Sequence, residues 1–399
     1  MNKSNWNIKK LRELGTFDKG TGISKTDILA RGVPCIRYAE IYTKYDFQVT
    51  ECKSRISAEK ASTSKPITKG TLLFASSGET AEEIGKSVAY LGQPVAYASG
   101  DTILFKFNEQ KENPLFYSYY LNTIGRKQLN RLGEGQSIVH IYPKELAKVQ
   151  VPCPPIEEQK KIVEVLDTWD KAIGLTKQLI AQKELQKKYL MQQLLTGRTR
   201  LKGFTDKWKT EKLNELIQVY QGYPFKSETY TENGKYNVLT IANVQQGHLE
   251  PNACSKIANV PPDLRPFQKL EIGDIVLSMT GNVGRSCYVS ISNCLLNQRV
   301  AKIKGIHLNP QFLYYSLQNP RFIYTMVAFA QGGAQANLSV KDIKNYMLHC
   351  PANEREQRAI AEVLSSCDQE IDLLKQKLTK LEEQKKGLMQ VLLTGKIRL

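Results

Sequence analysis

The chain contains the same long helical segment twice, and this duplication limits the folds that it can adopt. The first copy begins EQKKIVEVLD at Glu158 and ends LLTGRTRL at Leu201, and the second begins EQRAIAEVLS at Glu356 and ends LLTGKIRL at Leu399. The copies align without a gap, and roughly half of their positions are identical, far above chance for a long helix. The period is much longer than the roughly 20 to 50 residues of a solenoid repeat, so the pattern predicts a two-copy domain duplication.

The duplication extends into the segments that precede each helix. GTLLFASSG, from Gly70 to Gly78, matches GDIVLSMTG, from Gly273 to Gly281, and Trp6 matches Trp208. The predicted order is globular unit, helix, globular unit, helix, with boundaries at residues 1–153, 154–201, 202–350 and 351–399. The globular copies differ more from each other than the helices do. This contrast indicates that the helices share one task, whereas the globular units perform different versions of another.

Each helix carries an apolar stripe with alternating steps of three and four residues, the heptad pattern of a left-handed coiled coil. The stripe of the first helix is more polar because it includes Thr176, Lys183 and Lys187. This makes it a poor homodimer and a plausible partner for the second helix. The apolar seam positions are Leu166, Trp169, Ile173, Ile180, Leu190 and Leu194 in the first helix, and Leu364, Ile371, Leu374, Leu378, Leu381, Leu388 and Leu392 in the second.

The helix ends carry recognisable signals. Pro154 and Pro155 precede the first helix and Pro351 the second, and Gly197 and Gly395 stand where C-terminal caps are expected. A helix of about 38 residues is about 57 Å long. DNA sites read by twofold proteins lie about 34 to 36 Å apart, a separation that such a helix can set.

The globular units combine strand-like and helical segments. Strands are predicted at Thr71–Ala75 and Asp274–Ser278, and helices at Phe116–Leu121 and Phe312–Leu317. Two further strands are predicted at Val33–Ile41 and Tyr236–Val244. The predicted fold class is α/β (α+β): two mixed α/β domains in a pseudo-twofold arrangement, separated by two long helices that pack as an antiparallel coiled coil.

Composition favours a polyanionic partner. The formal net charge is +17 and the pI about 9.3, and such an excess favours binding to phosphates through counterion release. The alternative is a basic protein whose lysines simply face water. The sequence has no apolar run long enough to span a membrane, and its eight cysteines include no CxxC pair. These features predict a cytoplasmic protein without a membrane partner.

Polar residues in the loops of both globular units are candidates for DNA contact. Arginine can bind guanine bidentately, Asn and Gln can do so with adenine, and Ser, Thr and Lys suit phosphates. An ordinary polar loop residue is the alternative for each of them. The candidates are Lys19, Thr21, Lys25, Arg37, Ser76, Ser77, Lys86, Arg131 and Gln136 in the first unit, and Gln221, Tyr223, Lys226, Asn243, Thr280, Asn282, Arg285, Asn297, Gln298 and Arg299 in the second.

Motifs for catalysis are missing from the sequence. GETAEEIGKS, from Gly78 to Ser87, would need Gly in place of Thr80 to form a P-loop, so a structural strand-turn is the better interpretation. The histidines form no cluster, and neither a catalytic triad nor a metal motif is present. The sequence therefore predicts a non-catalytic chain that binds no metal or cofactor of its own.

The order of parts resembles the specificity subunit of bacterial and archaeal type I restriction-modification systems. The resemblance is carried by the helix starts PPIEEQKKIVEVLD and EREQRAIAEVLS, the helix ends LMQQLLTG and LMQVLLTG, and GDIVLSMTG. It implies two target-recognition domains, each reading half of a split sequence in double-stranded DNA. It also implies a helical spacer that docks two methyltransferase (modification) subunits. S-adenosylmethionine, ATP and Mg would be bound by those partners and by a restriction (helicase-nuclease) subunit.

The sequence is also compatible with two other functions. One is a single-chain DNA-modifying enzyme, a methyltransferase or a nuclease, against which the missing motifs argue. The other is a coiled-coil scaffold that binds only proteins, which leaves the excess of positive charge without an explanation.

Overall fold

The long helices divide their residues between two compact units. The structure is a computed structural model that describes residues 6–108, 111–135, 138–331 and 337–399. Unit 1 comprises Met1–Lys177 and Gln376–Leu399, and unit 2 comprises Gln178–Lys375. Each unit thus contains one globular segment and part of both long helices.

Unit 1 is a mixed α/β domain. Its strands are β1 (Asn7–Lys10), β2 (Gly15–Lys19), β3 (Val33–Ile36), β4 (Gln48–Val49), β5 (Ser54–Ile56), β6 (Lys65–Ile67), β7 (Leu72–Ala75), β8 (Ser77–Gly78), β9 (Ser87–Tyr90), β10 (Ala96–Ala98), β11 (Thr102–Phe107), β12 (Val139–His140) and β13 (Gln150–Cys153). Its short helices are α1 (Leu11–Leu14), α2 (Tyr38–Thr43), α3 (Ala58–Ser62), α4 (Pro114–Asn122), α5 (Arg126–Asn130) and α6 (Pro143–Leu146). The long helix α7 (Ile156–Leu194) follows β13.

Unit 2 repeats this order. Its strands are β14 (Trp208–Lys212), β15 (Ile217–Gln221), β16 (Tyr236–Leu239), β17 (Ser255–Ile257), β18 (Lys269–Leu270), β19 (Ile275–Ser278), β20 (Ser286–Tyr288), β21 (Cys294–Leu296), β22 (Val300–Gly305) and β23 (Met347–Pro351). Its short helices are α8 (Leu213–Leu216), α9 (Pro310–Leu317), α10 (Pro320–Ala330) and α11 (Val340–Asn345), with 3-10 turns at Ser227–Thr229, Pro251–Ala253 and Pro266–Gln268. The second long helix, α12 (Glu354–Leu392), follows β23.

The two units share one sheet topology. The order β2-β11-β7-β9 in unit 1 corresponds to β15-β22-β19-β20 in unit 2, and β5-β3-β10-β6 corresponds to β17-β16-β21-β18. In each unit the first strand pairs antiparallel with the strand that leads into the long helix, β1 with β13 and β14 with β23. Unit 1 adds β4, which pairs parallel with β9. The structure thus confirms the mixed α/β class and the internal duplication.

The cores form against the long helices. In unit 1, Leu166 of α7 and Leu392 of α12 are buried in the same cluster as the apolar side chains of the sheet and of α4. In unit 2, Leu194 of α7 and Leu364 of α12 take the corresponding places. Burial of one such leucine contributes roughly 1.5–3 kcal/mol, so the helices are part of each core rather than external supports.

The long helices pair antiparallel within each unit. In unit 1, the Lys177 ammonium lies 2.9 Å from a carboxylate oxygen of Glu382. In unit 2, the Lys183 ammonium lies 2.8 Å from a carboxylate oxygen of Glu370. Residue numbers rise along α7 as they fall along α12. Each predicted seam position of the two helices is buried or half-buried.

The helix ends follow the capping signals of the sequence. Gly197 and Gly395 have φ values of 70° and 65°, the left-handed conformation of a glycine C-cap. At the starts, the side-chain amides of Gln159 and Gln357 donate hydrogen bonds of 2.9 Å to the carbonyls of Pro154 and Pro351. The glutamine that recurs at the two helix starts therefore ties each helix to the proline-containing segment before it.

The predicted strands Val33–Ile41 and Tyr236–Val244 are too long. β3 ends at Ile36 because the backbone N–H of Arg37 donates to Glu40 Oε2 at 3.0 Å, which begins α2. β16 ends at Leu239, after which the backbone N–H of Thr240 donates to Asn243 Oδ1 at 2.8 Å. In both units a side-chain acceptor three residues along competes with strand pairing.

Candidate nucleic-acid interface

Polar loops of unit 2 meet at one edge of a sheet. β15 pairs with β22 so that Gln221 lies opposite Ala301, and β19 pairs with β22 so that Ser278 lies opposite Val300. The last residues of β15 and β19 therefore lie beside the first residues of β22. We call the loops that leave here the strand-end edge of unit 2, residues 221–223, 280–282 and 297–299.

Several predicted contact residues are accessible at this edge. The exposed ones are Gln221, Asn282, Gln298 and Arg299, and Tyr223 and Thr280 are half-buried. The Tyr223 hydroxyl donates a 2.9 Å hydrogen bond to Asp263, which raises the pKa of Tyr223. Carboxamide and guanidinium groups on one exposed edge can bind the hydrogen-bonding edges of bases.

Two predicted contact residues of unit 2 lie inside the fold. Asn243 is completely buried, and its side-chain amide donates to the carbonyl of Glu250 at 2.9 Å. Asn297 is buried, and its Oδ1 accepts from the backbone N–H of Arg299 at 3.1 Å. DNA contact at these two positions stays a prediction, and in the structure their polar groups hold turns and present little or no surface.

Two basic candidates of unit 2 have protein partners. Arg285 is half-buried, and its Nη1 donates to Gln245 Oε1 at 2.5 Å. Lys226 is exposed, with its ammonium 3.9 Å from a carboxylate oxygen of Glu228. A surface pair of this kind is weak, so Lys226 stays available to a phosphate, whereas Arg285 is committed to the fold.

Unit 1 has a corresponding strand-end edge. β2 pairs with β11 so that Lys19 lies opposite Ile103, and β7 pairs with β11 so that Thr102 lies opposite Ala75. We include in this edge residues 19–21, 76–78 and 99–101. Lys19, Thr21 and the nearby Lys25 are exposed.

The serines after β7 are less accessible than predicted. Ser76 and Ser77 are buried, and the Ser77 hydroxyl shares a 3.0 Å hydrogen bond with Nδ1 of His140. These two serines lie beneath the edge of unit 1, and phosphate contact at these positions stays a prediction. His140 reaches this edge because β12 pairs with β8. Sequence reasoning missed it because that pairing joins segments about 60 residues apart, for which no local pattern exists.

The remaining basic candidates of unit 1 differ in their surroundings. The Lys86 ammonium donates to the carbonyls of Tyr45 at 2.7 Å and Tyr42 at 3.3 Å, and burial lowers the pKa of Lys86. Lys86 therefore holds a loop, and its contact with DNA stays a prediction. Arg37 is half-buried, with Nε 3.8 Å from a carboxylate oxygen of Glu40. Arg131 is exposed, and Gln136 lies outside the described residues.

A buried carboxylate anchors the second long helix in unit 2. Glu356, in the first turn of α12, has no exposed surface. It accepts hydrogen bonds from Arg200 at 2.6 and 2.8 Å and from the indole N–H of Trp208 at 3.2 Å. The Arg200 guanidinium lies 5.6 Å from the centroid of the Trp208 ring. We call this arrangement the Trp–Glu–Arg clasp.

Unit 1 has the same clasp, built from the equivalent residues. Glu158, in the first turn of α7, accepts from the indole N–H of Trp6 at 3.1 Å and from Nη2 of Arg398 at 2.6 Å. The Arg398 guanidinium lies 5.5 Å from the Trp6 ring centroid. In both units the clasp joins the start of the globular segment, the start of one long helix and the segment that follows the other.

The described part of the chain contains no group of three or more His, Cys, Asp or Glu residues placed to hold a metal ion. Within the same residues, no helix combines the length and the apolar character needed to cross a membrane.

Comparisons with known proteins agree with the duplicated architecture. The profile of a family described as type I restriction modification DNA specificity domain matches residues 3–185 and 205–383. The MjaVIII type I restriction enzyme specificity subunit of Methanocaldococcus jannaschii is 29% identical over 309 residues, which cover 73% of this chain and 72% of that protein. The EcoKI specificity subunit of Escherichia coli is 24% identical over 260 residues, or 61% of this chain and 56% of that protein.

A solved structure shares the fold over nearly the whole chain. The S subunit of a type I restriction-modification system from M. genitalium aligns with a TM-score of 0.62 and 16% identity, covering 98% of this chain and 97% of that one.

Proposed function

Because the chain belongs to the family of type I restriction modification DNA specificity domains, we propose that it is the sequence-specific DNA-binding subunit of a type I restriction-modification complex. In this proposal each globular domain reads one half of a two-part DNA target, and the long helices set the gap between the halves. One observation carries the proposal. Two strand-end edges occupy equivalent places in one repeated topology, yet they present different side chains.

The chemistry of the two edges supports different readings of DNA. Gln298 and Arg299 of unit 2 offer groups that bind adenine and guanine in the major groove. Lys19 and Thr21 of unit 1 offer groups that suit phosphates and base edges. The net charge of +17 adds a sequence-independent attraction to the DNA backbone that weakens as salt concentration rises.

The helices are proposed to dock the partners. Specificity subunits assemble with DNA and with the other subunits of their systems. For this chain we propose that the partners are two methyltransferase subunits and one restriction subunit. Leu185 and Tyr189, one turn apart on α7, are 67% and 59% exposed. Exposed apolar side chains of this kind favour a protein partner. S-adenosylmethionine, ATP and Mg are proposed to bind the partner subunits, so this chain supplies recognition and no chemical step.

A selection experiment tests the proposal. The chain, assembled with its methyltransferase subunits, is incubated with a pool of random DNA, and the bound fraction is sequenced. We expect enrichment of one two-part sequence with a fixed gap. Absence of any sequence preference would contradict the proposal. Turnover of S-adenosylmethionine or DNA cleavage by this chain alone would instead favour a single-chain enzyme, and binding that ignores DNA would favour a protein scaffold.

Arg299 provides a sharper test within unit 2. We expect Arg299→Ala to weaken binding to the selected site by about 1–3 kcal/mol, since a bidentate contact to a base is lost, and to relax one half-site only. Lys304→Ala is the matched control because Lys304 is an exposed cation near the opposite end of β22. Binding of both variants is measured by titration at one salt concentration. If both lose the same binding free energy, Arg299 contributes only general charge attraction and no base contact.

A further inference from the structure

The long helix pair holds a buried lysine in unit 1 and a half-buried lysine in unit 2, each at a position of the apolar seam. Lys385 of α12 is 6% exposed, and the side chain of Lys187 of α7 is 19% exposed. Lysine is rarely buried without a partner, because its charge loses hydration that only close polar groups can replace. The partners of these two lysines therefore indicate what the seam requires.

In unit 1 the partner of Lys385 lies on the opposite helix. The Lys385 ammonium is 2.5 Å from Asp170 Oδ1, and the Tyr119 hydroxyl of α4 donates to Asp170 Oδ2 at 2.6 Å. The ammonium also lies 4.2 Å from the ring centroid of Phe47 and 5.1 Å from that of Tyr119. One aspartate thus joins both long helices and the globular domain.

Unit 2 repeats this arrangement with the roles of the helices exchanged. The Lys187 ammonium of α7 pairs with Asp368 Oδ1 of α12, and the Tyr315 hydroxyl of α9 donates to Asp368 Oδ2 at 2.7 Å. Burial, followed by the neighbouring aspartate, raises the pKa of Tyr315, which keeps its hydroxyl protonated as a donor. The same holds for Tyr119 in unit 1.

The neighbouring seam positions do not specify an alignment as strongly. The α12 stripe has leucine at Leu374, Leu381 and Leu388, one heptad apart, so a shift of α12 by one heptad replaces leucine with leucine at these positions. In a shifted pair, however, Lys385 would lie opposite Val163 or Lys177, neither of which can neutralise it, and Asp170 would lie opposite Leu378 or Leu392 and lose its counter-ion. A single buried polar contact is an attested means of fixing the register of a coiled coil.

We infer that the two Lys–Asp–Tyr triads, together with the two Trp–Glu–Arg clasps at the helix ends, fix the register in which α7 and α12 pair, and that the triads fix the points at which α4 and α9 meet that pair. This inference rests on the proposed function for its consequence: the register of the spacer determines which gap between half-sites the complex accepts. The six residues are positioning residues, and none is assigned a contact with DNA.

Zero-length carbodiimide crosslinking of the intact chain, read by peptide mass spectrometry, reports the register without DNA. The wild type should join Lys177 to Glu382 and Lys183 to Glu370, whose ion-pair distances are 2.9 and 2.8 Å. A variant with both triads made apolar should lose these crosslinks several-fold, because a shift of one heptad places Lys177 opposite Lys375 or Met389. This six-residue variant is Tyr119→Phe, Asp170→Leu, Lys385→Met, Tyr315→Phe, Asp368→Leu and Lys187→Met, made in an open-clasp background that carries Arg200→Ala and Arg398→Ala, because the clasps would otherwise hold the same register. The background with both triads intact should keep the wild-type crosslinks.

Two comparisons make the test decisive. Restoring either triad in the open-clasp background should recover the wild-type crosslinks, since one fixed point suffices for continuous helices. Thr176→Val is the matched control: Thr176 is a buried polar seam residue whose hydroxyl donates a 2.7 Å hydrogen bond to the carbonyl of Ala172 in its own helix. This control should leave the crosslinks unchanged. Wild-type crosslinks in the six-residue variant, or its failure to fold, would overturn the inference in favour of a role in stability alone.

A DNA experiment then tests the consequence. With methyltransferase subunits present, wild type should select one gap length from a pool with varied gaps, and the six-residue variant should select several. If a variant with altered crosslinks still selected one unchanged gap length, the helix register would not determine the gap, and that consequence would be overturned. Loss of all sequence preference by the wild type would contradict the proposed function, while the crosslinking result would stand by itself.

Discussion

At the scale of single residues, the buried charges of Glu158, Glu356 and Lys385 are each shared among several neighbouring groups. Glu356 accepts three hydrogen bonds from Arg200 and Trp208 with no exposed surface. Removal of one partner from such a site leaves an uncompensated charge, which costs far more than the intact pair contributes.

We therefore expect Arg200→Ala to lower the free energy of unfolding by about 3 kcal/mol, because the carboxylate of Glu356 stays buried without its counter-ion. The matched control is Arg358→Ala, since Arg358 forms an exposed pair with Glu354 on the same helix, at 3.5 Å. That variant should cost less than about 1 kcal/mol. Urea titration of both variants measures the difference, and equal midpoints would show that the clasp does not stabilise unit 2.

Residue identity predicted the surface better than the interior. Gln298 and Arg299 lie exposed at a sheet edge, as their chemistry suggested. Asn243 and Lys86 have equally suitable groups, but a local turn and two backbone carbonyls use them. Which groups form these hydrogen bonds depends on where the backbone lies in the folded protein, and this position cannot be read from the pattern of residues in the sequence.

At the scale of elements, the long helices were the most predictable part. Their apolar period and their Pro and Gly signals place the ends within a few residues of Ile156–Leu194 and Glu354–Leu392. The sequence also marked Lys187 as a polar interruption of the seam. It could not show that Asp368 neutralises Lys187, because the two residues come together only through antiparallel pairing of distant segments.

A heptad insertion tests the helices as a spacer. Seven residues added after Leu179 and seven after Lys377 preserve the phase of both stripes and lengthen the pair by about 10 Å. We expect the selected gap to grow by about three base pairs, at about 3.4 Å each, while both half-sites stay the same.

Insertions of two residues at the same places provide the control, since they rotate each stripe by roughly 200° and should disrupt pairing. The readout is sequencing of the selected DNA. A change in the half-site bases after the heptad insertion would contradict the division of labour between helices and globular domains.

At the scale of the whole molecule, the duplication allows one reader to change without the other. Exchange of residues 1–153 for the corresponding segment of another family member should alter one half-site and leave the second intact. The exchange must keep Trp6, since this residue closes the clasp with Glu158 and Arg398. Selection from random DNA measures both half-sites, and a change in both would show that the domains do not read independently.

Unit 1 is built from two distant segments of the chain, which affects when it can fold during synthesis. Residues up to Lys177 leave the ribosome first, but Gln376–Leu399 complete the unit only after all of unit 2 has been made. At about 5–20 residues per second, this delay is on the order of 10–40 s. During that time Leu166 and its neighbours lack the α12 leucines that cover them, so the first domain to be translated is the last to close.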